Sequence, residues 1–147
     1  MTAPRPEGIS REEAIANLTH GKILYLSTVF PDQLSPQNKY FVVVGFDKRP
    51  LLLKINTSSK FAKTQFVIKR TTYTFLDYDS YLDCGRVWYI LSYEEVLGQL
   101  MANPKKCIIG EISKDHANEI VRLTNLSKSV TPNHKRIIAE SLRPKED

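Results

Sequence analysis

The sequence predicts an α+β fold: a small, bent antiparallel sheet or barrel of five or six strands, with helices packed on it. Three observations predict it. β-Branched and aromatic runs crowd before residue 112, helical patterns fall mostly at the end, and between Lys22 and Leu91 no helical period is long enough for parallel crossovers. At 147 residues, 41% hydrophobic and 25% charged, the chain has the composition of one soluble domain. It is read as a single unit over 1–147, with tails at 1–8 and 143–147 and a sheet core over 22–112.

Ser10-Arg11-Glu12-Glu13 has the spacing of a capping box, so a short helix starts there, buries Ile15 and Leu18 and closes at Gly21. Lys22–Phe30, Tyr40–Phe46, Leu51–Asn56 and Gln65–Thr71 then read as strands. Pro31, Ser35-Pro36, Asp47–Pro50 and Thr57-Ser58-Ser59 punctuate them, and the Asp47–Pro50 link is short enough for a hairpin. Tyr81–Leu91 reads as a strand pair or one long bent strand, with Gly85 at a bulge or turn. Ser92-Tyr93-Glu94-Glu95 is a second capping box. Its helix runs to Met101, has Val96, Leu97, Leu100 and Met101 on its apolar face and stops at Asn103-Pro104. Cys107–Ile112 is a short final strand. Ser113 caps a helix burying Ala117, Ile120, Val121 and Leu123 or Thr124, and Thr131-Pro132 starts a last helix with Ile137, Ile138 and Leu142 inside.

Several classes are excluded at once. No apolar run approaches the roughly 20 residues of a membrane helix. The first 20 residues carry five charges and no apolar block, so no secretory signal is expected. Cys84 and Cys107 cannot staple a fold of this size, and with three scattered histidines they make a poor metal set. Free thiols, no metal and a cytoplasmic location are the expectation. Six glycines form no phosphate-cradling loop, which argues against a small-nucleotide enzyme.

The net charge of +5 conceals a segregation. Between Lys22 and Thr72 nine bases meet only Asp32 and Asp47, a local +7 interleaved with Tyr40, Phe41, Phe61 and Phe66. Between Tyr73 and Leu100 five acids meet only Arg86, a local −4. Cations with rings between them suit a polyanion whose bases stack; the same pattern also describes a solvated basic face. If nucleic acid binds, Lys39, Lys54, Lys60 and Lys63 are the expected contacts rather than the C-terminal half.

Gly21-Lys22-Ile23-Leu24-Tyr25-Leu26, taken in order and spacing with the segments that follow it, is similar to the opening glycine and first strand of the MazF/PemK/Kid family of toxin ribonucleases. Ser35–Lys39 before Tyr40–Val44 resembles its polar, basic loop before the second strand. Leu51–Ile55 ending in Asn56-Thr57-Ser58 is similar to its strand ending in a threonine–serine pair. Asp79–Val87 resembles its segment in which a serine leads into a strand holding an aspartate and an arginine. Ile109–Ser113 is similar to its closing strand, glycine and capped helix. The pieces cover roughly residues 20–127. Tyr40 stands where the family has proline, the basic loop lacks its glycine and arginine, and the helices at the N-terminus, at Tyr93–Met101 and after Thr131 are additions.

The resemblance implies an SH3-like barrel and metal-independent, cofactor-free cleavage of single-stranded RNA to a 2′,3′-cyclic phosphate. It implies a two-fold homodimer and an antitoxin protein as partner. Arg86 is the candidate for the phosphorane charge, since guanidinium grips phosphate oxygens with two donors; the alternative is an ion pair with Asp83 or Asp79. Asp83 is the candidate proton acceptor, or else a turn cap or the partner of Arg86. Thr57 and Ser58 are candidate phosphate donors or ordinary turn residues. His20 fits the last turn of the first helix, and His116 and His134 fit exposed first turns of helices. Cys84 is a buried small hydrophobe or a thiol nucleophile. Phe75–Tyr81 fits an interaction surface or a turn packed over the core. The competing function is a non-catalytic SH3-like module that binds protein or nucleic acid.

Overall fold

A computed structural model of the chain describes residues 8–57 and 63–142. Six strands, β1 (Lys22–Thr28), β2 (Gln37–Phe46), β3 (Pro50–Asn56), β4 (Gln65–Ile68), β5 (Ser80–Asp83) and β6 (Ile108–Glu111), form one sheet. Their order is β4-β5-β3-β2-β1-β6, and every pair is antiparallel. The sheet curls into a half-barrel whose edges are β4 and β6. Five helices accompany it: α1 (Arg11–Asn17), α2 (Tyr93–Ala102), α3 (Pro104–Cys107), α4 (Lys114–Leu126) and α5 (Pro132–Leu142). The predicted α+β class and bent antiparallel sheet are what the chain adopts. Among the described residues no helix is long and apolar enough to cross a membrane.

The runs Phe41–Val44 and Leu51–Leu53 do not alternate with polar residues because both faces of the sheet are covered. Successive side chains point to opposite faces. Val42, Val44, Leu51 and Leu53 therefore pack with Ile120 and Leu123 of α4 and Ile138 and Leu142 of α5. Phe41, Val43 and Leu52 face the other way, onto Ala14, Val96, Leu97 and Leu100 of α1 and α2 and onto Trp88. Gly45 sits at a register shift between β2 and β3, where α5 comes so close that a Cβ would lie 2.6 Å from Ile137.

Element ends differ from the sequence expectation in instructive places. Ser92 completes its capping box with Glu95. At Ser10 only half forms: the hydroxyl accepts from the Glu13 N–H but donates to the Glu13 carboxylate, which leaves the reciprocal bond unmade. α1 buries Ala14 rather than Ile15 and ends at Asn17, so His20 lies beyond the helix, exposed in the turn into β1. β4 stops at Ile68 because Lys69 turns the chain, its carbonyl accepting from the amides of Thr72 and Tyr73. Asn103-Pro104 ends α2 and also opens the one-turn α3.

The largest departure concerns Tyr81–Leu91. Only Ser80–Asp83 is strand; the chain then leaves the ladder and returns at a single bridge, where Trp88 and Leu52 exchange backbone bonds of 2.7 and 3.2 Å. Beyond Asp83 only the β4 side of the ladder continues, through the Cys84 amide donating to the Thr64 carbonyl, while the Asp83 carboxylate takes the Gly85 amide and the backbone turns away from β3.

Candidate active site

That turn forms one wall of a cleft of about 790 Å³, within the range that holds small ligands. Alternation along the strands supplies the floor. On β2 and β3 the face that buries Phe41 and Leu52 ends in Lys39 and Lys54, which emerge past the apolar cluster into the cleft. Phe30 and Trp88 meet edge to face at 4.7 Å beneath them. The Lys54 ammonium lies 5.0 Å from the Phe30 ring centre and 4.8 Å from that of Trp88. The Arg86 guanidinium lies 3.8 Å from the Trp88 ring centre. A guanidinium seated over an indole ring gains a cation–π contact and still has N–H donors for a ligand.

Asp83 is buried at the end of β5, and its Oδ1 accepts the Gly85 N–H at 2.8 Å. A Cβ at Gly85 would overlap the Thr64 hydroxyl, so a larger residue there requires Thr64 to move. The Gly85 carbonyl accepts from Ser127 at 2.8 Å, so the link between α4 and α5 clamps the turn and brings Lys128 to the cleft. Burial pushes the Asp83 carboxyl above its ordinary range, against the pull of the Gly85 amide, Lys54 and Arg86. Desolvation lowers Lys54, assisted by Lys39 and Arg86 and opposed by Asp83 and Asp32. An aspartate that binds its proton more readily and a lysine that releases its proton more readily are both shifted in the direction that proton transfer needs.

The structure thus brings Lys39, Lys54, Asp83 and Arg86 together. Thr57 lies outside this cleft, on a smaller adjoining pocket, and Lys63 lines neither. Ser58 and Lys60 lie outside the described residues. Among those residues Arg86 makes no ion pair within 4 Å. Asp79 instead takes the Arg70 amide and faces Lys69, while Asp83 caps its own turn. Lys128 enters from the C-terminal half, where no contact was expected. Trp88 and Phe30 were missed as well. The signal for Trp88 was present, since the only tryptophan of the chain stands two residues after Arg86. Its Nε1 is buried without a hydrogen-bond partner among the described residues.

The remaining candidates sit elsewhere. Cys84 is fully buried and its thiol pKa is pushed far upward by burial, which suits a core residue and not a nucleophile. Cys107 is also free and buried. His116 is half-buried, with its Nδ1 2.6 Å from the Tyr73 hydroxyl, and His134 reaches Asp47 at 3.4 Å; neither is the exposed residue expected. Among the described residues no three of His, Cys, Asp and Glu are grouped as metal ligands. The chain matches no model of a known protein family, and no curated protein is significantly similar to it.

Proposed function

We propose that the chain is a MazF/PemK-like endoribonuclease that cleaves single-stranded RNA in this cleft. The observation that carries the reading is the convergence of Lys39, Lys54, Asp83 and Arg86 on the Phe30–Trp88 ring pair. In the reaction, Asp83 takes the proton of a ribose 2′-OH, whose oxygen attacks the adjacent phosphorus. The bond to the 5′-oxygen breaks, and the leaving oxygen takes a proton from Lys54. Arg86 and Lys39 meet the charge that builds on the phosphorane oxygens. The products are a 2′,3′-cyclic phosphate and a 5′-hydroxyl, and proton exchange with water restores Asp83 and Lys54. On this reading the working form is a cytoplasmic homodimer held in check by an antitoxin protein.

A second reading rests on the bond between Asp83 and the Gly85 amide. If the carboxylate serves only that turn, the cleft binds a strand without cutting it. Incubation with single-stranded RNA in EDTA, followed by end-group analysis, separates the two. Cyclic phosphate ends are expected; RNA left intact at high protein excess, yet bound, selects the binding module.

A further inference from the structure

A second, smaller pocket of about 310 Å³ adjoins the cleft, and Lys39 and Asn56 line both. It is built differently. Tyr25 of β1 and Tyr40 of β2 are direct cross-strand partners with ring centres 4.5 Å apart, and Phe75 backs Tyr40 at 4.8 Å. Three rings therefore run in a row. Tyr40 packs against the core cluster shared with α4 and α5, whereas Tyr25 belongs to neither cluster and ends the row half-exposed. The carboxamides of Asn38 and Asn56 stand at the same pocket, each able to donate to and accept from a base edge. Among the described residues no charged side chain but Lys39 lines it, at the border with the cationic cleft. A strand that places one phosphate at Lys39 has a ribose and base to either side, and one of the two falls at the tyrosines.

From this we infer that the smaller pocket is a base subsite: it stacks the base of the nucleotide next to the one held in the main cleft on Tyr25, with Asn38 or Asn56 at its edge. The inference rests on the nucleic-acid reading of the main cleft. It makes the recognition unit at least a dinucleotide, with a cationic step at Lys39 between two ring-lined stations.

The test is binding, not cleavage. A fluorescently labelled 2′-O-methyl pentauridylate cannot be cut by attack of a 2′-OH, and five further versions each lack one base. Their affinities are measured by anisotropy for the wild type and for Tyr25→Leu, across a salt series. Base stacking is lost about tenfold per base, so Tyr25→Leu should weaken the intact oligomer by about that factor without changing its salt slope. At one abasic position the variant should cause no further loss, because the base it would have stacked is already gone. A folded Tyr25→Leu protein that binds every oligomer as the wild type does overturns the subsite and leaves the cleft standing. Wild-type protein that binds none of them overturns the nucleic-acid reading itself. If Tyr25→Leu does not fold, 4-thiouridine cross-linking on the wild type decides: adducts on Tyr25 or Tyr40 are expected, and adducts confined to the main cleft overturn the subsite.

Discussion

Replacing Arg86 by alanine separates a catalytic cation from a structural one. In an arginine of a buried salt bridge the two roles are confounded, because its removal strands a buried carboxylate and destabilises the protein by about 3–5 kcal/mol. Arg86 makes no ion pair among the described residues; its recorded contact is the face of Trp88 at 3.8 Å. An exposed cation–π contact contributes about 0.5–1 kcal/mol. For a chain of this size each kcal/mol moves the melting temperature by roughly 2–4 °C, so Arg86→Ala should melt about 1–4 °C below the wild type. If the guanidinium meets charge that develops only in the transition state, its loss should slow cleavage by about 10²–10³, or about 2.7–4 kcal/mol. The assay is single-turnover cleavage of a short RNA at saturating protein, with RNA affinity measured in parallel and a thermal melt of the same preparation. The expected pattern is a large fall in rate, a small fall in affinity and a nearly unchanged melt. A folded variant that cleaves within threefold of the wild type would refute the site, and a loss of rate that follows the loss of fold would refute the separation of roles.

Four further outcomes follow from the same geometry. The pH–rate profile should fall on the acidic side above the ordinary carboxylate range, as Asp83 protonates, and on the basic side below the ordinary lysine range, as Lys54 loses its proton. Asp83→Asn should abolish the acidic limb together with most activity, yet melt no lower than the wild type at neutral pH. A raised folded pKa means the carboxylate opposes folding above that pKa, and the opposition vanishes once pH falls below the unfolded value, so the two melts should differ most at high pH and converge in acid. Glutamine at Lys39, Lys54 and Lys128 should each flatten the slope of log affinity against log salt by about 0.7, whereas glutamine at Lys63 should leave it unchanged; anisotropy titrations decide. Gly45→Ala should destabilise the chain by about 1–3 kcal/mol through collision with Ile137, read by chemical denaturation, with no change in RNA affinity in the folded fraction.

How much of this was legible in the sequence depends on the range of the forces involved. The Ser92 capping box, the Asp47–Pro50 hairpin and the proline start of α5 are set by neighbours within four residues, and each lies where local chemistry places it. Arg86 and Asp83 could be nominated because a lone base among acids and an aspartate in an apolar run both ask for a reason. Their actual partners could not be named. The Arg86–Trp88 contact is close in sequence, but it depends on the backbone turning at Gly85, and that turn depends on Thr64 and Ser127. Tyr81–Leu91 has the composition of a strand throughout, and composition does not reveal that the Asp83 carboxylate takes the Gly85 amide and turns the chain off the β3 ladder. The continuous apolar runs of β2 and β3 showed burial, but that both sheet faces are covered emerges only from the helices that cover them.

The bond from Ser127 to the Gly85 carbonyl has a consequence for timing during synthesis. The lysines of β2 and β3 and the pair Asp83 and Arg86 leave the ribosome well before Ser127, Lys128 and Ser129, which supply the last wall of the cleft and the clamp on its turn. Cleft contacts thus span from Phe30 to Ser129, and such distant closures form late in folding. A growing chain therefore holds every proposed catalytic side chain while its cleft is still unclosed. If the cleft cuts RNA as proposed, synthesis must pass Ser129 before it can do so.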